Sequence, residues 1–301
     1  MKAQVQIQTY PAKIASSIHD IGQLVKFKLT LLVVFTSVLA YLIAAGGTAA
    51  GFTDLFVLSL GGFFVAGAAN GMNQVLEKDF DKLMDRTAVR PLPQGRMQPS
   101  VAIMISGVMA VLGLLMLSWF NPLTTLLGAL AFVSYAFIYT PLKRYSSFSV
   151  LVGAIPGALP ALIGGTAFAG EITSTIVFLF LIQFIWQFPH FWSIGWISFA
   201  QYKRAGYKLL PVQSEVPTSQ IGWYAFIYSL VLIPLTGVAW IYHFSNPITL
   251  VIILFISGQF TWKSWELYKK NDRAAARGVM FSSFIYLPIV FGAFLIDKIF
   301  F

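Results

Sequence analysis

Residues 73–97 read NQVLEKDFDKLMDRTAVRPLPQGRM. Before them, from Leu55 to Leu76, the chain carries no charge. Then Glu77, Asp79, Asp81 and Asp85 arrive within nine residues, and Arg86, Arg90 and Arg96 come after them. About 20 apolar residues span a hydrocarbon core of ~30 Å, so these charges fall where a spanning helix leaves the membrane. Asn73, Glu77 and Asp81 are four residues apart. Each such step drifts only ~40° around a helix, which puts all three on one stripe. Asp85 continues the spacing and Asp79 points elsewhere.

The rest of the chain fits a polytopic membrane protein. Of its 301 residues, 57% are hydrophobic and 10% are charged, against roughly 25% charged in a soluble domain. There is no cysteine, which excludes disulfides, thiolate metal sites and a cysteine nucleophile. The length rule predicts nine all-α transmembrane spans, near 29–46, 55–76, 101–120, 122–142, 150–170, 174–199, 222–241, 247–268 and 278–297. With the N-terminus in the cytoplasm and the C-terminus outside, 19 of the 20 Lys and Arg fall inside, leaving only Lys298 outside. The positive-inside rule predicts such a bias. It accounts for the net charge of +9 without a nucleic-acid partner; the partner implied is the lipid bilayer.

The N-terminus lacks the apolar core and small-residue site of a signal peptide, and the Arg and Ser richness of a transit peptide. A bacterial inner (plasma) membrane is the expected location. The whole chain, 1–301, is read as one transmembrane domain with a polar N-terminal segment, 1–25. Two long polar connections, 77–100 and 200–220, lie on the cytoplasmic side, where elaborated loops place the working face. They are four helices apart, which hints at two similar four-helix halves. Residues 150–170 contain Pro156, Pro160, Gly153, Gly157, Gly164 and Gly165. Two readings stay open there: close packing through small residues, or a kinked wall lining a cavity.

Oxygen ligands on one helix face suit a hard divalent cation. Mg²⁺ takes one or two protein carboxylates and completes its shell with water and phosphate oxygens. The competing reading is a solvated helix end laced with ion pairs. That reading must also explain the arginines that come at once in RTAVRPLPQGR. Planar guanidinium forks beside a carboxylate–metal site make a diphosphate clamp. An acidic stripe and a basic loop at a membrane face thus suggest a lipid diphosphate substrate. A transporter would instead place ionisable groups at mid-membrane and show repeats.

The pattern Asn73, Glu77, Asp81, Arg86, Thr87, Arg90, Pro91 and Leu92 resembles the first signature of the UbiA superfamily of intramembrane prenyltransferases. Within it, the heme O synthase branch (protoheme IX farnesyltransferases) is the most similar. Glu77 in place of the commoner Asp points that way, as do YTPLKR at 139–144 and WQFPHFW at 186–192. So do YKRAGYKLLP at 202–211 and YLP at 286–288. The resemblance covers about residues 20–295.

The resemblance implies a UbiA-type bundle that transfers a farnesyl group from farnesyl diphosphate to a vinyl group of heme B. Water adds, and heme O and diphosphate result. The implied cofactor is Mg²⁺, held by Asn73, Glu77 and Asp81. Arg86, Arg90, Lys143, Arg144 and Lys203 are the implied diphosphate residues. Trp186, Gln187 and His190 are implied at the heme. A lone histidine in an apolar helix is otherwise a hydrogen-bonded core residue. The second loop begins Gln201-Tyr202 where the family usually has Asp-Tyr. A carboxylate is lost there, and the first cluster then carries most of the metal binding. A UbiA-type enzyme acting on a quinone precursor is the alternative. A downstream heme-modifying enzyme or terminal oxidase is a candidate partner.

Overall fold

The computed structural model describes residues 10–48 and 50–300, and among them there are helices and no strands. The helices are α1 (Tyr10–Leu24), α2 (Phe27–Ala45), α3 (Phe52–Asp81), α4 (Pro99–Leu117), α5 (Pro122–Val133) and α6 (Thr140–Leu142). They continue with α7 (Ser149–Ala169), α8 (Ser174–Ile197), α9 (Phe199–Arg204), α10 (Ser219–Ile241), α11 (Pro247–Lys270) and α12 (Arg273–Phe300). A π-helical turn, Ser134–Tyr139, joins α5 to α6. Counting α5 to α6 as one span, nine helices among the described residues are long and apolar enough to cross a membrane.

Local chemistry sets the ends of these spans. Asn121 caps α5 by accepting the Thr124 N–H at 2.8 Å, and Asn246 caps α11 by accepting from Ile248 and Thr249. Each is followed by a proline, which fits the first helical turn because it needs no N–H partner there. Gly46 and Gly170 end α2 and α7 at φ 57° and 75°, a left-handed conformation that glycine adopts without a Cβ clash.

One apolar cluster joins α2, α3, α4, α5 and α7, for example Tyr41, Leu58, Leu117, Leu127 and Leu159. A larger one joins α2, α7, α8, α10, α11 and α12, for example Ala40, Ala161, Ile182, Phe260 and Phe291. The α2–α7 pair therefore serves both groups. A Cβ added at Gly164 of α7 would lie 1.8 Å from the Ser37 carbonyl oxygen of α2. One added at Gly157 would lie 1.9 Å from Gln187 Oε1 of α8. Of the two readings of this Gly/Pro run, close packing is the one realised at these positions.

α3 has 30 residues, about 45 Å at the helical rise, and so outreaches the hydrocarbon core. Its last turns carry Glu77 and Asp81 beyond the apolar run, with Asn73 at the run's end. Part of the polar N-terminal segment forms α1, which is docked on this end. Gln74 Nε2 donates to the carbonyls of Gln23 and Leu24 at 2.8 Å. Arg96 Nε donates to Asp20 at 3.0 Å.

Candidate active site

The acidic stripe is buried and paired. Glu77 and Asp81 are 6% and 0% exposed. Lys143 Nζ lies 2.5 Å from Glu77 Oε1, and Arg90 Nη1 lies 2.7 Å from Asp81 Oδ2. Asn73 sits between them and Lys26. Its Oδ1 accepts from Lys26 Nζ at 3.0 Å, and its Nδ2 donates to Glu77 Oε2 at 2.8 Å and to Thr140 Oγ1 at 3.0 Å. Three cations, Lys26, Arg90 and Lys143, thus surround two carboxylates.

Thr140 comes to this point through the π turn. The wider turn rotates the residues after it relative to an unbroken α-helix, and Thr140 donates back to the Tyr135 carbonyl at 2.8 Å. Lys143 is one helical turn further on. Its ammonium lies 4.8 Å from the Tyr139 ring centre and 5.6 Å from that of Tyr207.

The second loop forms a roof. Met84 of the first loop packs with Ala205 and Tyr207, flanked by Phe80, Tyr202 and Leu209. Lys208 N donates to the Lys143 carbonyl at 2.7 Å, and Arg204 Nη2 reaches both Asp85 oxygens at 3.1 Å. Burial pushes the Tyr207 phenol well above its usual pKa, and the nearby Glu77 and Asp81 carboxylates push the same way. Burial draws the Lys26 ammonium well below the usual lysine range, with Arg90 and Lys143 acting in the same direction.

The residues singled out in the sequence divide clearly. Asn73, Glu77 and Lys143 form one bonded group, and Asp81 with Arg90 forms a second pair beside it. Arg144 lies beside it, its guanidinium 4.3 Å from the Phe80 ring centre. Arg86 is exposed and makes no ion pair among the described residues. Lys203 pairs with Glu215 on the surface. Arg96, read with the clamp arginines, is instead a tether between the first loop and α1. Tyr202 packs edge-on to the Tyr207 ring. Gln201 begins the roof in α9, its backbone N–H bonded to the Ser198 carbonyl at 3.0 Å.

Trp186 and His190 build a joint between α8 and α12. Their rings stack 4.9 Å apart, His190 Nδ1 pairs with Ser283 Oγ at 2.8 Å, and Trp186 Nε1 donates to the Ser283 carbonyl. Gln187 is buried and donates to the Ala154 carbonyl of α7 at 3.0 Å. Sequence reading assigned no site role to Lys26, Thr140 or Tyr207. Thr140 and Tyr207 lie within two of the motifs, YTPLKR and YKRAGYKLLP, which was the available signal; Lys26 had none beyond its charge.

The donor set fits a divalent cation of the Mg²⁺ type. Among the described residues, Glu77 Oε1 is buried against the Lys143 ammonium, and the buried Asp81 Oδ1 has no hydrogen-bond partner. Among the described residues no third His, Asp or Glu joins them. Two carboxylates are what Mg²⁺ takes from a protein when substrate phosphates complete its shell. Asn73, expected as a third oxygen donor, here accepts from Lys26 through Oδ1 and donates to Glu77 through Nδ2.

Comparison with known proteins fits this geometry. The profile of the UbiA prenyltransferase family matches residues 33–285. The chain is similar to the protoheme IX farnesyltransferase of Cytophaga hutchinsonii, at 39% identity over 95% of this chain and 100% of that one. The protoheme IX farnesyltransferase of Christiangramia forsetii is also 39% identical, over 94% and 95%. Among solved structures, one from work on digeranylgeranylglyceryl phosphate synthase in membranes superposes with a TM-score of 0.78, at 19% identity over 94% of this chain and 99% of that one. A UbiA homolog from Archaeoglobus fulgidus bound to GPP and Mg²⁺ gives 0.64, at 15% identity over 91% and 99%. These two likenesses concern the fold. With the profile covering most of its length and relatives matched nearly end to end, this multi-pass membrane protein belongs to the UbiA prenyltransferase family.

Proposed function

We infer that the protein transfers a farnesyl group from farnesyl diphosphate to a vinyl group of heme B, making heme O. The observation that carries this reading is the near end-to-end match to relatives named protoheme IX farnesyltransferase. The allylic C–O bond breaks and diphosphate leaves. A C–C bond forms to the vinyl carbon, and water then adds at the neighbouring carbon with loss of a proton.

Glu77 and Asp81 would hold Mg²⁺. Once bound, the metal neutralises charge on the diphosphate leaving group. Asn73 keeps the Glu77 carboxylate in place. Lys143 and Arg90 set a positive field fixed before substrate arrives, so no reorganisation is needed as the leaving group gains charge. Arg86, free of ion pairs among the described residues, and Arg144 supply planar donors for phosphate oxygens. The Tyr139 ring already faces a cation, and ring faces of this kind shield an allylic cation from water.

Purified protein with heme B, farnesyl diphosphate and Mg²⁺ is expected to yield a heme O mass that disappears with EDTA. A prenylated quinone precursor and no heme adduct would keep the site and overturn the acceptor. The site is assigned to the cytoplasmic face of a bacterial inner membrane. In support, 19 of the 20 basic residues share one side in this arrangement. The cysteine-free chain makes a clean test of this. In right-side-out vesicles, Glu171→Cys is expected to react with an impermeant maleimide and Val216→Cys only after permeabilisation. The reverse pattern would invert the topology.

A further inference from the structure

We propose that the Tyr207 hydroxyl is a substrate contact, donating a hydrogen bond from the second loop to an oxygen of the diphosphate. The inference rests on the prenyl-diphosphate reading above and adds to it a residue from the roof of the site. Tyr207 is 8% exposed, and its Oη, which faces Glu77, makes no hydrogen bond of normal geometry among the described residues. A buried hydroxyl left unmatched is costly, so its place calls for an acceptor. Of the groups it faces, Asp81 keeps one buried oxygen with no hydrogen-bond partner among the described residues, and Glu77 Oε1 meets the Lys143 ammonium. A ligand presenting several acceptor oxygens and a bound cation satisfies all of them at once: the oxygens take the phenol O–H, and the cation takes the carboxylates.

The phenol is also held in direction. Gly206 turns the chain at φ 72°. Tyr207 N then donates to the Tyr202 carbonyl at 2.9 Å, and the next residue bonds to Lys143. The ring lies 6.2 Å from Phe80 and 6.1 Å from Tyr202. A side chain fixed on its backbone and both flanks delivers its hydroxyl to one place. The loop begins with Gln201 rather than a carboxylate, and its polar contribution to the site is then a neutral donor. A phenol O–H serves an anion in that role without competing for the metal.

The test uses the full-length protein in detergent or nanodiscs. Mg²⁺-dependent binding of inorganic diphosphate is measured by calorimetry, with kcat and KM for farnesyl diphosphate alongside. Tyr207→Phe keeps the ring and removes only the hydroxyl. It is expected to weaken diphosphate binding and raise that KM by roughly ten- to a hundredfold, the range of a hydrogen bond to a charged group. The KM for heme is expected to stay unchanged, and the Tm is expected to hold or rise, since the hydroxyl removed is an unmatched one. Tyr207→Leu, which also removes the ring, is expected to lower the Tm as well. Wild-type affinity in Tyr207→Phe would overturn the proposal, and so would a fall in Tm with affinity intact, which marks the hydroxyl as structural. If the wild-type protein itself binds no diphosphate with Mg²⁺, the prenyl-diphosphate reading fails and the Tyr207 proposal with it.

Discussion

Asp81→Asn is expected to slow prenyl transfer by about 10²–10³-fold, the scale for removing one preorganised electrostatic group, while the protein still inserts and elutes normally. Asp81 is fully buried, with one oxygen on Arg90 and the other without a hydrogen-bond partner among the described residues. Asparagine has the same shape and keeps an acceptor for Arg90, so the fold retains its contact. What it loses is the negative charge that a hard cation requires. Single-turnover kinetics over a Mg²⁺ series separates the two effects: the metal concentration for half-maximal rate is expected to rise steeply. Normal activity at low Mg²⁺ would end the metal role of this residue.

Gly164→Leu is expected to prevent recovery of folded protein altogether. A Cβ at Gly164 would lie 1.8 Å from the Ser37 carbonyl oxygen and 2.7 Å from its carbonyl carbon. The obstacle is backbone, not the flexible end of a side chain. The α2–α7 pair that would have to separate is shared by both apolar clusters, so the damage does not stay local. Gly237→Leu, in α10, is the control, because a Cβ there meets nothing within 4 Å. Size-exclusion profiles of the two variants decide the matter, and a monodisperse Gly164→Leu protein would refute it.

Hydropathy made the spans legible because lipid imposes a minimum length on every crossing helix. The span read at 122–142 has those ends in the structure. Spans with polar ends were read short. α3 runs on to Asp81, and α12 starts at Arg273 and reaches Phe300. Charged turns fall outside an apolar window although the backbone stays helical there. The short helices α1 and α9 escaped for the same reason. Four-residue spacing also revealed the acidic stripe, since it lies within one element. Its partners could not be read that way. Lys26 and Thr140 meet Asn73 across 47 and 67 positions, and no periodicity reports a contact between elements. The π turn that aims Thr140 adds one residue to a helix without a compositional mark, and Tyr207 acquires its place only when two loops pack.

The distance along the chain between the two halves of the Glu77–Lys143 pair bears on how the protein is made. A ribosome adds about 5–20 residues per second, so the carboxylate emerges roughly 3–13 s before its ammonium does. The roof emerges later still, 64 residues behind Lys143 at Tyr207. During that interval α3 is already synthesised, with Lys26 before it and Arg90 close behind, but Glu77 still lacks the ammonium that pairs with it. Charges of this kind are tolerable in water and costly in hydrocarbon. The length of α3, which carries its last turns past the apolar run, lets the nascent chain wait with those carboxylates hydrated. Their burial is then a late event in biogenesis, completed by segments made after the helix that bears them.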